Sequence, residues 1–214
     1  MPSSKAAHIL CIRFSAMGDV AMTVPVLIAL TRTYPELEIT VVSKPFFEPF
    51  FSGIERVHFF GAEVKTKYKG VAGLYKLYKA LKTKQITAIA DLHNVIRSKV
   101  LLSFFRLRGS QTAQIDKGRT EKRALTRETD KVFKPLKTTH QRYADVFEAL
   151  GFPLQLKGDE LLPKRKLNDT IQKAIGQEPY KWLGFAPFAA HEGKKYPLDL
   201  VLSLIHISEP TRPY

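Results

Sequence analysis

Hydrophobic positions along the chain alternate between short apolar runs and longer stretches with helical spacing. The runs HILCIRF (8–14), EITVVS (38–43), RVHFF (56–60), ITAIADL (86–92), TAQI (112–115) and KWLGFA (181–186) read as strands. Between them, residues 20–33 place Val20, Val24, Leu27, Ile28 and Thr31 on one stripe. Pro25 fits that helix only in its first turn, where its missing N–H costs nothing. Residues 70–82 put Val71, Leu74, Leu77, Tyr78 and Leu81 on one face, with Lys76, Lys79 and Lys82 opposite. Two further helices are expected at 95–107 and 138–150, the latter ended by Gly151. Strands that alternate with helices predict an α/β fold: a Rossmann-like, mostly parallel sheet covered by helices on both faces.

The pattern changes near 151–166, where GFPLQLKGDELLPKRKL has no clear period, as in a crossover between lobes. A short helix over 167–176 and the strand 181–186 then lead into AAHEGKKYP, the expected opening of a second α/β unit. The domain expectation is a lobe at 1–160, the start of a second lobe at 161–201, and a separate tail at 202–214. That tail holds LSLIHISEPTR, Leu202 to Arg212, which matches in order the translation of a common sequencing-library adapter. It is expected to be non-native, so His206 receives no functional reading.

Composition narrows the classes. A hydrophobic content of 44% with 25% charged residues suits a globular protein with a true core. No apolar run is long enough to span a bilayer, and the first residues lack the apolar segment of a signal peptide. The single cysteine, Cys11, excludes an intramolecular disulfide framework and reads as a small buried hydrophobe, so a cytoplasmic location is expected.

Charge changes the picture more. The formal net charge is +14, and it is unevenly spread. Seven lysines and one acid lie between Glu63 and Lys84; thirteen basic residues and four acids lie between Arg97 and Arg142. Such a field favours nucleic acid, an anionic membrane surface, or a phosphorylated or carboxylated substrate. A basic nucleic-acid-binding module is therefore the alternative reading. It is weakened because no helix-turn-helix, RNA-recognition or zinc-ligand pattern is present, and no nucleic-acid partner is expected.

The turn FSAMGD (14–19) follows the first strand and opens the first helix. It lacks G-x-G-x-x-G and G-K-[ST], so it is neither a dinucleotide fingerprint nor a P-loop, and a dinucleotide enzyme is not expected. Ser15, Ala16 and Gly18 are small enough to let a substrate approach the backbone. Asp19 can serve as a helix N-terminal acid or as a general base at the lip of a cleft.

IRFSAMGDVAMTVPVLIALTRTYPELEITVV resembles the opening of glycosyltransferase family nine, the heptosyltransferase-like enzymes, with its Ser-x-x-Gly-Asp turn and Thr-x-Pro helix. The resemblance continues more weakly through IADLHNVIRSK and THQRYADVFEALG, and returns in GFAPFAAHEGKKYP. It implies the N-terminal lobe of a B-type glycosyltransferase fold, with the acceptor bound on this lobe and a nucleotide-sugar on the second. The implied activity is inverting, metal-independent transfer of heptose or a related sugar from a nucleotide-diphosphate donor, such as ADP-heptose, to an anionic lipopolysaccharide-core acceptor. No cofactor is implied beyond the donor, and a peripheral position on the inner face of the inner membrane would bring enzyme and glycolipid together. The acid matching Asp19 is the implied base, and Lys194 with Lys195 the implied contacts to the donor diphosphate. Ser15, Gly18, Arg97, Lys99, Arg119 and Arg123 are candidate acceptor-binding residues. His93 is expected to pack at its strand end, Asp91 to cap the following helix, and His140 and Arg142 to act at the start of theirs. Without a full donor lobe the chain is expected to be inactive.

Overall fold

The computed structural model describes residues 7–164, 167–175, 188, 189, 191–201 and 203. The chain divides into two compact units, one ending at Lys164 and the other beginning at Arg165.

The first unit holds a five-stranded, wholly parallel sheet built from β1 (His8–Ile12), β2 (Glu38–Ser43), β3 (Val57–Gly61), β4 (Ala88–Asp91) and β5 (Gln111–Gln114). The spatial order is β3-β2-β1-β4-β5, so the chain leaves β1 in one direction along the sheet and resumes at β4 in the other. That reversal opens a crevice at the carboxyl ends of β1 and β4, the place where open α/β sheets bind ligands.

The central strand explains the arrangement. Ile9, Leu10, Cys11 and Ile12 are all fully buried, which a strand achieves only when both faces of its sheet are covered. Ile9 and Cys11 pack into one core with α1 (Met17–Ala21), α2 (Thr23–Thr33) and, later in the chain, α6 (Thr139–Glu148). Leu10 and Ile12 pack into the other core, beneath α3 (Gly70–Leu81) and α4 (Ile96–Arg106). Burial of each such aliphatic side chain is worth about 1.5–3 kcal/mol, so β1 anchors both layers.

The five strand expectations that fall on described residues hold within two residues at either end, with β1 and β4 shorter than their apolar runs. Backbone pairing runs one residue past each assigned end, with the Arg13 N–H donating to the Val42 carbonyl and the Leu92 N–H to the Ile12 carbonyl, both at 3.1 Å, while the Arg13 side chain reaches the Leu92 carbonyl. The helix expected at 20–33 begins earlier and is split at Met22, with Pro25 in the first turn of α2. Val71 departs from its expected inward face. The buried stripe of α3 is Gly73, Leu74, Leu77 and Leu81, while Val71 in the first turn is 63% exposed. A Cβ on Gly73 would lie 2.3 Å from the Tyr68 backbone, so that glycine lets the segment before α3 pass close against its first turn. One helix has no counterpart among the expected elements: α5 (Arg119–Thr126), which buries no residue and so carries no apolar stripe. Gly151, with φ +89°, follows α6 in the left-handed conformation that ends helices.

In the second unit, α7 (Asp169–Ile175) follows Asn168, whose Oδ1 accepts the Ile171 N–H at 2.8 Å. Glu192–Lys194 forms one turn of 3-10 helix. The strand expected at 181–186 and all of the expected tail at 202–214 except Ser203 lie outside the described residues.

Candidate active site at the switch point

Three strand ends supply the crevice. From β1 come Arg13, Ser15 and Asp19; from β4, Asp91 and His93; from β5, the segment Asp116–Arg119.

Arg13 organises the first of these. Its guanidinium is almost wholly buried, yet it directly follows the apolar run Ile9–Ile12. One nitrogen, Nη1, donates to the Leu92 carbonyl at 2.6 Å, tying the end of β1 to the end of β4. Nη2 forms an ion pair with Asp19 Oδ2, and the Arg13 guanidinium lies 6.0 Å from the ring centre of Tyr143. A buried cation needs such partners, because desolvation without them costs several kcal/mol. The Tyr143 hydroxyl donates in turn to the Asp19 carbonyl at 3.1 Å, and burial pushes that phenol up to about 12.

Asp19 is thus fixed through both its backbone and its side chain. Oδ2 also accepts the Ala16 N–H at 3.3 Å. The side chain remains 39% exposed, and Oδ1 takes no hydrogen bond from the described residues. Gly18 beside it has open space where a Cβ would point. A held carboxylate with one free oxygen facing a small-residue opening can accept a proton from a bound hydroxyl.

Asp91 is different. It is fully buried and saturated: Oδ1 accepts the backbone N–H groups of His93 at 3.0 Å and Asn94 at 2.9 Å. Oδ2 accepts the Ser98 hydroxyl and the Gln114 amide, each at 2.9 Å. The expectation that Asp91 caps α4 needs adjusting, since Ser98 Oγ is what accepts the Val95 N–H, at 3.0 Å. Asp91 shapes the turn before the helix and grips the helix only through Ser98.

His93 packs, as expected, with its ring edge against Phe14 at 5.8 Å and Nε2 3.5 Å from Ser15 Oγ. Burial first, and the Arg13 charge second, lower its pKa to about 4, so the ring is neutral at physiological pH.

Lys117, which the sequence pattern does not single out, belongs to this cluster. Burial and the repulsion of Arg13 and Arg119 lower its pKa, while Asp91 and Asp19 pull the other way. The segment that carries it is locked by Arg142, which donates to the Asp116 carbonyl at 3.3 Å and pairs with Glu121 of α5 at 2.7 Å. Gly118 adopts φ +59°, and a Cβ there would fall 2.2 Å from Arg142 Nη2, so glycine alone fits. Arg142 therefore clamps the β5–α5 turn, and the role is more than capping its own helix. His140 lies half-buried beside Thr138, whose hydroxyl accepts the Gln141 N–H and caps α6.

Arg97, Lys99 and Arg119 line one depression of about 500 Å³ with Asn94, Val95 and Ile96, at the start of α4. Arg123 lies a turn further along α5, exposed and outside that lining. In the second unit Lys194 is exposed, and Lys195 pairs with Glu192. Among the described residues no group of histidines, cysteines or acids could hold a metal ion, and no helix is long and apolar enough to cross a membrane.

The five-stranded parallel sheet with helices on both faces has the fold of one lobe of a B-type glycosyltransferase. No family model matches the chain. Its resemblance is to glycosyltransferase family nine: over 99 residues it is 31% identical to the lipopolysaccharide core heptosyltransferase OpsX of Haemophilus influenzae, covering 46% of this chain and 28% of that protein. The family-nine glycosyltransferase of Veillonella parvula superposes with TM-score 0.66 at 17% identity, over 94% of this chain and 60% of that one. Escherichia coli heptosyltransferase WaaC, solved with ADP, gives 0.60 at 17%, over 94% and 64%. Escherichia coli ADP-heptose lps heptosyltransferase II gives 0.59 at 21%, over 94% and 62%. The chain thus spans less than two thirds of the length of the proteins it resembles.

Proposed function

We propose that this chain carries the acceptor lobe and the opening of the donor lobe of an inverting heptosyltransferase. Its substrates are a nucleotide-diphosphate sugar, ADP-heptose or a close analogue, and an anionic lipopolysaccharide-core acceptor at the cytoplasmic face of the membrane. The observation that carries the reading is Asp19: a carboxylate at the switch point, oriented by a buried arginine, with one oxygen free.

In the proposed step an acceptor hydroxyl attacks the anomeric carbon as the bond from that carbon to the diphosphate oxygen breaks. The proton passes to Asp19, and the bonding electrons leave on the diphosphate. Lys194 and Lys195 offset that charge without a metal ion, as a fixed cation can in a water-poor site. Arg97, Lys99 and Arg119 hold acceptor phosphate or carboxylate groups by charge-assisted hydrogen bonds, with Lys117 at the inner end of the same cationic field. Arg123 serves the outer reach of that field, and Ser15 and Gly18 leave room for the sugar.

The test is transfer from ADP-heptose to a lipopolysaccharide-core acceptor by a chain extended to a complete donor lobe. Asp19→Asn is expected to lower kcat about 100- to 10,000-fold, the usual range for a lost general base, while donor affinity stays within about twofold. Equal loss of both would make Asp19 a structural acid. The present chain alone is expected to show little turnover; measurable turnover would remove the donor lobe from the proposal.

A further inference from the structure

The helices over the second core present an outer face that no other described element covers. On α4, Ile96, Val100, Phe104 and Leu107 recur at helical spacing, and Ile96 and Leu107 are 83% and 87% exposed. On α3 the matching stripe is Val71, Tyr75 and Tyr78. The two stripes meet: Tyr75 and Tyr78 lie against the Phe104 ring at 5.4 and 5.7 Å. The seam is therefore an apolar and aromatic strip whose exposed members are Val71, Tyr75, Ile96 and Leu107, and whose middle members, Tyr78, Val100 and Phe104, are partly buried against the second core.

Its charge is one-sided. Lys76, Lys79 and Lys82 are exposed beside it, and the Lys79 ammonium lies 5.0 Å from the Tyr75 ring centre. Between Glu63 and Lys84 the only acid is Glu63 itself. Tyrosines with an apolar body and a polar tip, exposed aliphatic residues and flanking lysines form the composition that settles at a bilayer interface. A water-facing helix would place acids among its lysines, and a protein interface would deplete lysine at its centre.

Position completes the case. Helices that return between parallel strands begin at the carboxyl edge of the sheet, so Val71 and Ile96 stand at the same edge as Asp19. Ile96 belongs at once to the apolar strip and to the cationic depression with Arg97, Lys99 and Arg119.

We propose that the α3–α4 face docks this lobe on an anionic lipid surface, with the cationic depression at its rim. The purpose rests on the acceptor reading above, because a glycolipid held in the same bilayer would present its sugar to the depression. The docking itself does not depend on that reading.

The test uses the 214-residue chain with vesicles that contain no acceptor and no donor. Sedimentation is expected with phosphatidylcholine–phosphatidylglycerol vesicles and not with pure phosphatidylcholine, and high salt should weaken it. An anionic surface attracts each nearby lysine by about a factor of five in affinity, so Lys76→Gln/Lys79→Gln/Lys82→Gln should weaken binding roughly a hundredfold. Orientation is read separately. An environment-sensitive thiol label at Val71→Cys should shift on vesicle addition, and one at Glu148→Cys on α6, over the opposite core, should not. Cys11 does not compete, since it is fully buried and its thiol is pushed up to about 12. Three results would overturn the proposal: no sedimentation, a triple variant that binds like the parent, or equal response of both labels, which would mean adsorption through any basic surface. None of these would bear on Asp19 or on transfer, so the two readings fail separately.

Discussion

Asp91 ends β4 and Asp19 stands in the first turn of α1, just after β1, so both lie at the carboxyl edge of the sheet beside the switch point, and their surroundings are opposite. Asp91 is fully buried and all its acceptor capacity is spent on four neighbours from the β4–α4 turn, α4 and β5. Asp19 has one oxygen held by Arg13 and the Ala16 N–H and the other left to solvent. Saturation of a carboxylate marks scaffolding, because any proton or substrate it accepted would displace a partner. An oriented carboxylate with spare capacity can act on something the chain does not contain. The comparison teaches that the type and topological position of a residue nominate a site, and that its unspent hydrogen-bonding capacity decides the role.

The sharpest break of the comparison is Asp91→Ala. It strands the His93 and Asn94 backbone N–H groups and the Gln114 amide, each at about 1–3 kcal/mol unless water enters, while the Ser98 hydroxyl can turn wholly to the Val95 carbonyl. A loss of about 3–5 kcal/mol is expected, read as a lower urea midpoint with an unchanged slope. A loss below about 1 kcal/mol would show that the Asp91 network is dispensable and that saturation says little.

The same contrast explains which features are legible in the amino-acid sequence and which are not. Strands buried on both faces read as near-continuous apolar runs, so HILCI and EITVVS can be placed from hydrophobicity alone. FSAMGD announces Asp19 because a glycine-containing turn between strand and helix is itself a pattern. Arg13 is hidden, since it counts as one more position of the β1 run. Its signal is nonetheless present: a cation next to Cys11 and Ile12 in a strand covered on both faces must find an anion nearby. Lys117 is hidden for another reason: IDKGR sits in a basic stretch where no single lysine stands out. Only the fold brings it beside Arg13 and Asp19. Helix α5 escapes because RTEKRALT buries nothing, and a helix held by Arg142 through Glu121 leaves no periodic trace.

His93 joins the two acids and gives a second, smaller test. Its backbone N–H is bound by Asp91, and its ring reaches toward Ser15 on the Asp19 turn. The folded protein holds the ring neutral with a pKa of about 4, against an ordinary 6.5 when unfolded. Between those values the unfolded chain binds more protons than the folded one, so stability is complete above about pH 6.5 and falls as the pH drops toward 4. The loss attributable to His93 amounts to at most ~3 kcal/mol. Urea titrations of the parent and of His93→Gln across that window isolate the contribution, because other histidines shift both proteins alike. The variant should show the shallower decline. Parallel profiles would mean that the ring is open to water, and that the β1 and β4 turns are less closely packed than the comparison requires.

The smallest expected effect is the most discriminating. Asp19→Asn removes the anion facing a buried guanidinium, which on charge alone suggests a large penalty. Three features reduce it. Arg13 keeps its bond to the Leu92 carbonyl and its place near the Tyr143 ring. The asparagine oxygen can still accept from Nη2, and the site is open enough for water to screen what remains. A stability change of about 1 kcal/mol is therefore expected from the same urea measurement, several-fold below that of Asp91→Ala. With stability nearly intact, the loss of transfer expected of this variant could be assigned to chemistry rather than to unfolding. A destabilisation of about 3 kcal/mol or more would instead place Asp19 beside Asp91 as scaffold, holding Arg13 in the core, and its free oxygen would lose its claim to a catalytic role.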